Sequence, residues 1–362
     1  MQMLLPIFIF GLAAPVHTTT SEPGLFVSSQ DGASTIQLGV RSQFLYEHIR
    51  HEDHVEQSLQ IRRARLSIRG HVFAPHHTFR LQLAFSPRDQ ALSEGGIQQT
   101  PILDAYYENA LWQRAVVRVG QFKIPLRRER LISSGSQQFA ERSIVNAELG
   151  LGYDLGVSVG SQSVFGLDRF SYTGAVFLGE GRNSFAPSDG NMTYVIRLEA
   201  KSAGYKDSNH QGNFISGEPL RAAVGLAGAY FSQTTREEGI SGATLANARM
   251  ADLALLTADI QVKGYRTSLE ADCTFRWIDA PSSELIQVEH QSTGWRIQLG
   301  YFVSDKIELA GRWALVNGLR HEGEPTDARE VLGGINYYFF QHGLKIQGDW
   351  GLVKHPQYPT AQ

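Results

Sequence analysis

Leu59-Gln-Ile-Arg-Arg-Ala-Arg-Leu-Ser-Ile-Arg-Gly-His-Val72 is the stretch that decides how this chain folds. With a period of two, Ala64, Leu66, Ile68, Gly70 and Val72 fall on one face, and Arg63, Arg65, Ser67, Arg69 and His71 on the other. Strict alternation is the mark of a β-strand whose two faces meet different surroundings. A strand of a soluble sandwich also alternates, but its polar face meets bulk water and seldom stacks three arginines. A strand of a transmembrane barrel turns its apolar face to lipid and its polar face to a wet lumen. Arginines about 7 Å apart along one face repel one another unless something negative lies between them. Either a carboxylate of a neighbouring strand or a passing anion can fill that role.

The remainder of the chain repeats the pattern. Thr35–Glu47 sets Ile36, Leu38, Val40, Phe44 and Tyr46 against Gln37, Gly39, Arg41 and Gln43. Thr78–Phe85 sets Phe79, Leu81, Leu83 and Phe85 against Arg80 and Gln82, and Ile102–Leu111 carries Asp104, Tyr106 and Glu108 on one face. Later, Arg266, Ser268, Glu270, Asp272, Thr274 and Arg276 oppose Tyr265, Thr267, Leu269, Ala271, Phe275 and Trp277. Tyr265, Trp277, Trp295, Trp313, Tyr337, Tyr338 and Trp350 lie near strand ends, where interfacial girdles form. Connections alternate between short (Phe73–His77, Trp112–Arg114, Ser304–Asp305, Gln341–Gly343) and long (Leu126–Gly150, Ser232–Met250, Ile278–Gln291). Short turns at one rim and long loops at the other are how outer-membrane barrels are built. Ala203–Glu218 departs from the rule, being long where a short turn is due. The count is about fifteen strands of spanning length. Bacterial barrels are even-numbered, so one strand is unaccounted for.

Composition narrows the function. The net charge of −3 excludes a globally basic nucleic-acid binder, so attraction for anions has to come from local placement of arginine. Cys273 is the only cysteine, which excludes an intrachain disulfide and a cysteine zinc site. Its place with Leu269, Ala271 and Phe275 makes it a small apolar-face residue. No nucleophile-elbow, metalloprotease or phosphate-cradling glycine motif is present, and neither an enzyme activity nor a cofactor is expected. His48, His51 and His54 repeat every third residue in a polar loop without a carboxylate shell, and read as solvated surface rather than metal ligands. Leu4–Val16 is apolar and of leader length, without a basic n-region or an Ala-x-Ala site. Residues 1–23 are therefore read as a signal peptide in preference to a buried strand, and 24–362 as the barrel.

With this pattern established, the chain resembles the phosphate-selective porin O and P family, from about Thr35 to about Val353. The resemblance is carried by Ile61-Arg62-Arg63-Ala64-Arg65-Leu66, Leu103-Asp104-Ala105-Tyr106 and Val117-Arg118-Val119-Gly120-Gln121-Phe122-Lys123-Ile124-Pro125. Ser133-Ser134, Glu141-Arg142-Ser143, Gly174-Ala175-Val176-Phe177 and Gly343-Leu344-Lys345-Ile346-Gln347 add to it. It implies an all-β outer-membrane barrel of about sixteen antiparallel strands, a homotrimer set in outer-membrane lipid, with a third loop folded into the lumen. It implies a channel for small anions such as phosphate or polyphosphate. The surround it implies for the anion is Arg62 and Arg63, Asp104, Ser133, Ser134 and Arg142, with Arg130 as the basic loop residue. The period-two reading places Arg62 and Arg63 on opposite faces unless the strand is bulged, and by itself selects Arg63, Arg65 and Arg69 for the lumen. The loop Leu126–Gly150 balances Arg127, Arg128, Arg130 and Arg142 against Glu129, Glu141 and Glu148, and taken alone would also suit a solvated, self-neutralising loop. Tyr153-Asp154-Leu155-Gly156 replaces the family's usual Arg-Asp-Ile-Gly, and later loops lack a close run of arginines.

A plugged, structural or adhesive barrel is the competing reading. Gly343–Val353 corresponds to the family's penultimate strand and is followed by Pro356 and Pro359. Pro23 makes Gly24–Ser29 a poor full-length strand, so an open or frayed seam is expected between Gly343–Val353 and Thr35–Glu47.

Overall fold

The computed structural model describes residues 2–12, 25–50, 54–89, 101–112, 115–164, 167–184, 192–205, 208–215, 217–241, 244–245, 250–281, 285–321 and 324–355. His51 and Pro23 lie outside these residues. The chain forms β1 (Gln2–Leu12), β2 (Leu25–Ser28), β3 (Thr35–Arg50), β4 (Val55–His71), β5 (His77–Ala84), β6 (Ile102–Trp112) and β7 (Ala115–Lys123). After a connection with two short helices, α1 (Arg128–Leu131) and α2 (Ile144–Leu149), come β8 (Tyr153–Ser161), β9 (Phe170–Phe177) and β10 (Thr193–Lys201). The long strands β11 (Arg221–Thr234), β12 (Ala251–Gly264), β13 (Thr267–Asp279), β14 (Val288–Phe302), β15 (Ile307–His321), β16 (Glu324–Phe340) and β17 (Leu344–Lys354) complete one sheet.

From β3 to β17 each strand pairs antiparallel with the next. The expected open seam is not found. β1 pairs with β17 on one side and with the Ser42–Arg50 half of β3 on the other. β2 continues along the rest of β3, with Leu25 opposite Leu38 and Ser28 opposite Thr35. β1 and β2 thus share one place in the ring, and the seventeen strands occupy sixteen places. That half-and-half strand is the one missing from the alternation count, because neither piece alternates over a spanning length. Closure is what lipid demands, since an unpaired backbone group there costs several kcal/mol.

The faces are inverted relative to a soluble protein. On β12 and β13 the buried polar residues are Thr257, Asp259, Gln261, Lys263, Ser268, Glu270, Asp272, Thr274 and Arg276. The alternate positions hold apolar groups in the open, such as Leu256 at 45% and Trp277 at 40% exposure. Only a barrel with lipid outside and polar contents accommodates that distribution. Tyr338 is a correction to the girdle: its neighbour Tyr337 faces out, while Tyr338 points in and donates its hydroxyl to Glu308 at 2.6 Å. Successive strand residues cannot share a face. The β12–β13 turn is two residues, Tyr265 and Arg266, both at positive φ (48° and 68°), the geometry a tight hairpin needs. The first loop is shorter than the polar run His48–Ser58 suggests, because pairing continues to Arg50 opposite Val55. There His54 meets Glu56 and His48 meets Gln57.

The Arg62–Arg63 question resolves into a bulge. Gln43 pairs with Arg63 and Phe44 with Ile61, so Arg62 is the extra residue. Both guanidiniums reach the same Glu141.

In a Cys273→Ala background, Ser67→Cys should react with a small charged thiol reagent from water, and Leu66→Cys and Ile68→Cys should not. Labelling in the opposite sense would show the register to be slipped by one residue.

Candidate functional site

The segment between β7 and β8, residues 124–152, determines the geometry of the interior. Serine caps start α2 and the 3-10 turn Ser134–Ser136: Ser143 Oγ accepts from the Asn146 amide, and Ser133 Oγ accepts from Gly135. The segment's hydrogen bonds reach the inward faces of β3, β4, β12, β13, β15, β16 and β17. Its four arginines divide into two pairs with different surroundings.

Arg127 and Arg128 are bound into one wall. Arg127 bonds Asp272, which also accepts from Arg296 at 2.5 Å. Arg128 donates to Asp259 at 2.7 Å and Glu199 at 2.8 Å. Arg197 completes that group, with Nη1 2.8 Å from Asp259. Glu129 takes the Ser143 amide and hydroxyl at 2.8 and 2.7 Å. Burial alone would raise the Glu129 carboxyl, but the Arg296 and Arg127 guanidiniums outweigh it and hold the group below the ordinary carboxylate range.

Arg130 and Arg142 face the other way, into a lumen cavity of about 2200 Å³. Arg142 donates only to the carbonyls of Glu129 at 3.1 Å and Ile132 at 2.9 Å. Arg130 lies 5.5 Å over the Tyr153 ring, and its Nε is buried without a partner. Lys123 likewise donates to carbonyls, of Arg130 at 2.9 Å and Leu131 at 3.2 Å. Burial, and then Arg130 and Arg63 beside it, pulls the Arg142 guanidinium down to about 9. Burial likewise lowers Arg130. Cations crowded together in this way lack anions.

The opposite wall supplies more of them. Arg41 and Arg65 are direct partners across β3 and β4, a like-charge pairing that is unfavourable in a bare sheet. Arg41 donates to Ser133 Oγ at 2.9 Å and Ser134 Oγ at 3.3 Å, and Arg65 to Ser134 Oγ at 3.3 Å. Gly135 permits this, because a Cβ there would stand 2.5 Å from Arg41 Nη1. Arg65 is also held by Asp89, at 2.9 and 2.7 Å through Nε and Nη2. Glu141 takes Arg62 and Arg63, with Arg63 Nη2 at 2.9 Å. Asp104 lies 3.3 Å from Arg80, and Arg118 lies 2.6 Å from Glu108 over the Tyr106 ring. Among the described residues Arg41, Lys123, Arg130 and Arg142 have no carboxylate within ion-pair distance.

Of the residues singled out from sequence, Arg62, Arg63, Arg65, Asp104, Arg130, Ser133, Ser134 and Arg142 line this cavity. Arg69 does not. It donates to Gln37 at 3.0 Å, nearer the short-turn rim. Sequence reasoning missed Arg41, Lys123, Arg80, Arg118, Asp89 and Arg182, which line the same space. Arg41, Arg80 and Arg118 carried a readable sign, since all three fall on polar faces of alternating strands. Asp89 and Arg182 sit in connections, where alternation says nothing. The arrangement presents planar forks, hydroxyls and an ammonium to one cavity, the donor set that suits an oxyanion.

The division of the loop arginines has a measurable consequence. Arg127→Ala leaves Asp272 and Glu129 buried beside fewer cations and should destabilise the barrel by about 3–5 kcal/mol. Arg142→Ala removes bonds to carbonyls only and should leave the unfolding midpoint close to that of the unmutated chain. Heat-modifiability on gels and denaturant titration by tryptophan fluorescence read both.

Comparison with known proteins agrees with this architecture. The family model of phosphate-selective porin O and P matches residues 35–358. Among solved structures, the anion-selective porin from Comamonas acidovorans is 11% identical, with 98% of this chain and 99% of that one covered at a TM-score of 0.50. A loop L8 deletion mutant of OmpT, an outer membrane protein of Vibrio cholerae, is 11% identical, covering 89% of this chain and all (100%) of that one at 0.52. In-vitro folded OmpT of Vibrio cholerae in its trimer form covers the same shares at 11% identity and 0.50. These likenesses concern the fold. No curated protein matches the chain. A closed barrel with apolar residues outside and cations within, matched over nearly its whole length by one family, is a channel protein of the bacterial outer membrane and not an enzyme: the chain belongs to the phosphate-selective porin O and P family.

Proposed function

We propose that the chain is an outer-membrane porin that selects small oxyanions, phosphate or polyphosphate among them, at an arginine-lined constriction. Arg41, Arg65, Lys123, Arg130 and Arg142 with Ser133 and Ser134 form that constriction, and Arg62, Arg63 and Asp104 stand behind it. The single observation that carries the reading is that Arg41, Lys123, Arg130 and Arg142 face the lumen without carboxylates among the described residues, while Arg127 and Arg128 nearby are held by Asp272, Asp259 and Glu199. In a narrow polar site such a set attracts anions and strips part of their hydration. The segment 124–152 acts as the infolded third loop that carries half of the site.

A plugged barrel is the second reading. What favours it is the contact between segment 124–152 and the long turn after β10, where Gln211 donates its amide to the Ser136 carbonyl at 2.9 Å. Planar-bilayer recording separates the two. Discrete conductance steps and a reversal potential on the anion side in a chloride gradient are expected, with phosphate reducing the chloride current. Absence of steps would favour the plug, and equal cation and anion permeability would remove the selectivity reading. Arg41→Ala with Arg142→Ala should shift the reversal potential toward zero without loss of the folded form.

Homotrimeric assembly in outer-membrane lipid is proposed with this function, and chemical cross-linking of detergent-extracted protein should give a ladder ending at three. Residues 1–23 are proposed to be a cleaved leader. Intact mass of protein extracted from outer membranes should then lack them; a mass that retains them would instead make Gln2–Leu12 the strand that joins β17 to β3.

A further inference from the structure

Asp89 is an acid of the cavity held neither on the barrel wall nor on segment 124–152. It ends the short 3-10 turn Pro87–Asp89 that follows β5, outside both the barrel wall and segment 124–152. Its two oxygens take Nε and Nη2 of Arg65 at 2.9 and 2.7 Å, the parallel two-bond fit that an oxyanion also makes. The pair is partly open to the lumen, at 12% and 11% side-chain exposure. The backbone at Asp89 is fixed separately. Arg182 Nη2 donates to its carbonyl at 2.6 Å, its amide donates to Ser86 O at 3.0 Å, and Ser86 Oγ donates to Arg62 O at 3.1 Å. Rotation of the side chain alone therefore frees Arg65 without moving the turn. Burial would raise the Asp89 carboxyl, and the Arg65 guanidinium outweighs it and keeps the group below the ordinary carboxylate range. Across the strand pair, Arg41 stands opposite Arg65 with Nε buried and unpartnered.

We propose that Asp89 is an exchangeable internal counter-ion, displaced from Arg65 by a permeating oxyanion, and that it sets which anions the channel retains. This rests on the anion-porin reading above. A monoanion of low hydrogen-bonding power gains too little at Arg65 to replace two charge-assisted bonds. A dianionic oxyanion gains the Arg65 fork and the Arg41 fork together, and so displaces the carboxylate. The freed Asp89 stays charged beside the bound anion, weakens its hold and favours release, as conduction requires.

The experiment measures block of chloride current by inorganic phosphate and by sulfate in planar bilayers, for the unmutated chain and for Asp89→Asn and Asp89→Glu. Asp89→Asn keeps an acceptor for Arg65 but not the charge, and should lower the half-blocking phosphate concentration about ten-fold and lengthen the blocked dwell times. Asp89→Glu should stay close to the unmutated chain. If Asp89→Asn blocks as the unmutated chain does while anion preference is intact, the exchange is overturned and the porin reading stands. Should the unmutated chain prefer no anion, the porin reading fails and the exchange with it. Sulfate against nitrate on the unmutated chain gives a test free of folding defects: block by sulfate alone supports the exchange, and equal block by both overturns it.

Discussion

In hydrocarbon no water is present to pair a backbone amide or carbonyl, so every spanning strand must have a neighbour on both sides. The rest of this molecule follows from that constraint. A sheet that closes has an inside, and the alternation of strand side chains assigns one set of residues to it. In this chain the inner set is dense in charge, and a charge inside must be matched or solvated. The segment after β7 answers part of that demand, bringing Arg127 and Arg128 to the carboxylates of β12 and β13 and Glu141 to the arginines of β4.

The pairing is deliberately incomplete on one side. Where segment 124–152 meets β12 to β14, carboxylates face the arginines, with Arg127 held by Asp272 and Arg296 by Asp272 and Glu270. Where its lip meets Arg41 and Arg65, serine hydroxyls take the place of carboxylates, and Arg142 is held only by main-chain carbonyls of its own segment. A neutral acceptor satisfies an arginine's hydrogen-bond geometry but leaves its charge uncompensated. On the proposed function, the first contact surface fixes the segment in place and the second leaves it attractive to anions. A channel needs both, since a site that moves cannot select and one that is neutralised cannot attract.

The long turn after β10 extends this scheme to the opposite rim. Gln211 is bonded on every side: its side chain meets Glu270, Gln298 and the Gln138 amide, and its carbonyl accepts from His342. It thereby props the lip that bears Ser133 and Ser134 from below. Alternation of loop lengths had already marked Ala203–Glu218 as out of place among short turns.

Period-two alternation by itself determined the fold class, the inward face of Arg63 and Arg65, the apolar-face place of Cys273 and the alternation of short and long connections, because these depend only on neighbours along the chain. It could not determine the seam, where Gln2–Leu12 and Leu25–Ser28 share one place, since that is decided by what β3 and β17 leave unpaired. Nor could it decide between an inward and an outward Arg62, which turns on a bulge measured against β3. It could not separate Arg127 and Arg128 from Arg130 and Arg142, four similar residues of one loop, because their roles depend on carboxylates more than fifty residues away in sequence. Asp89 was illegible for the same reason. A carboxylate in a connection has no periodicity to place it, and only the closed ring brings it to the Arg65 guanidinium.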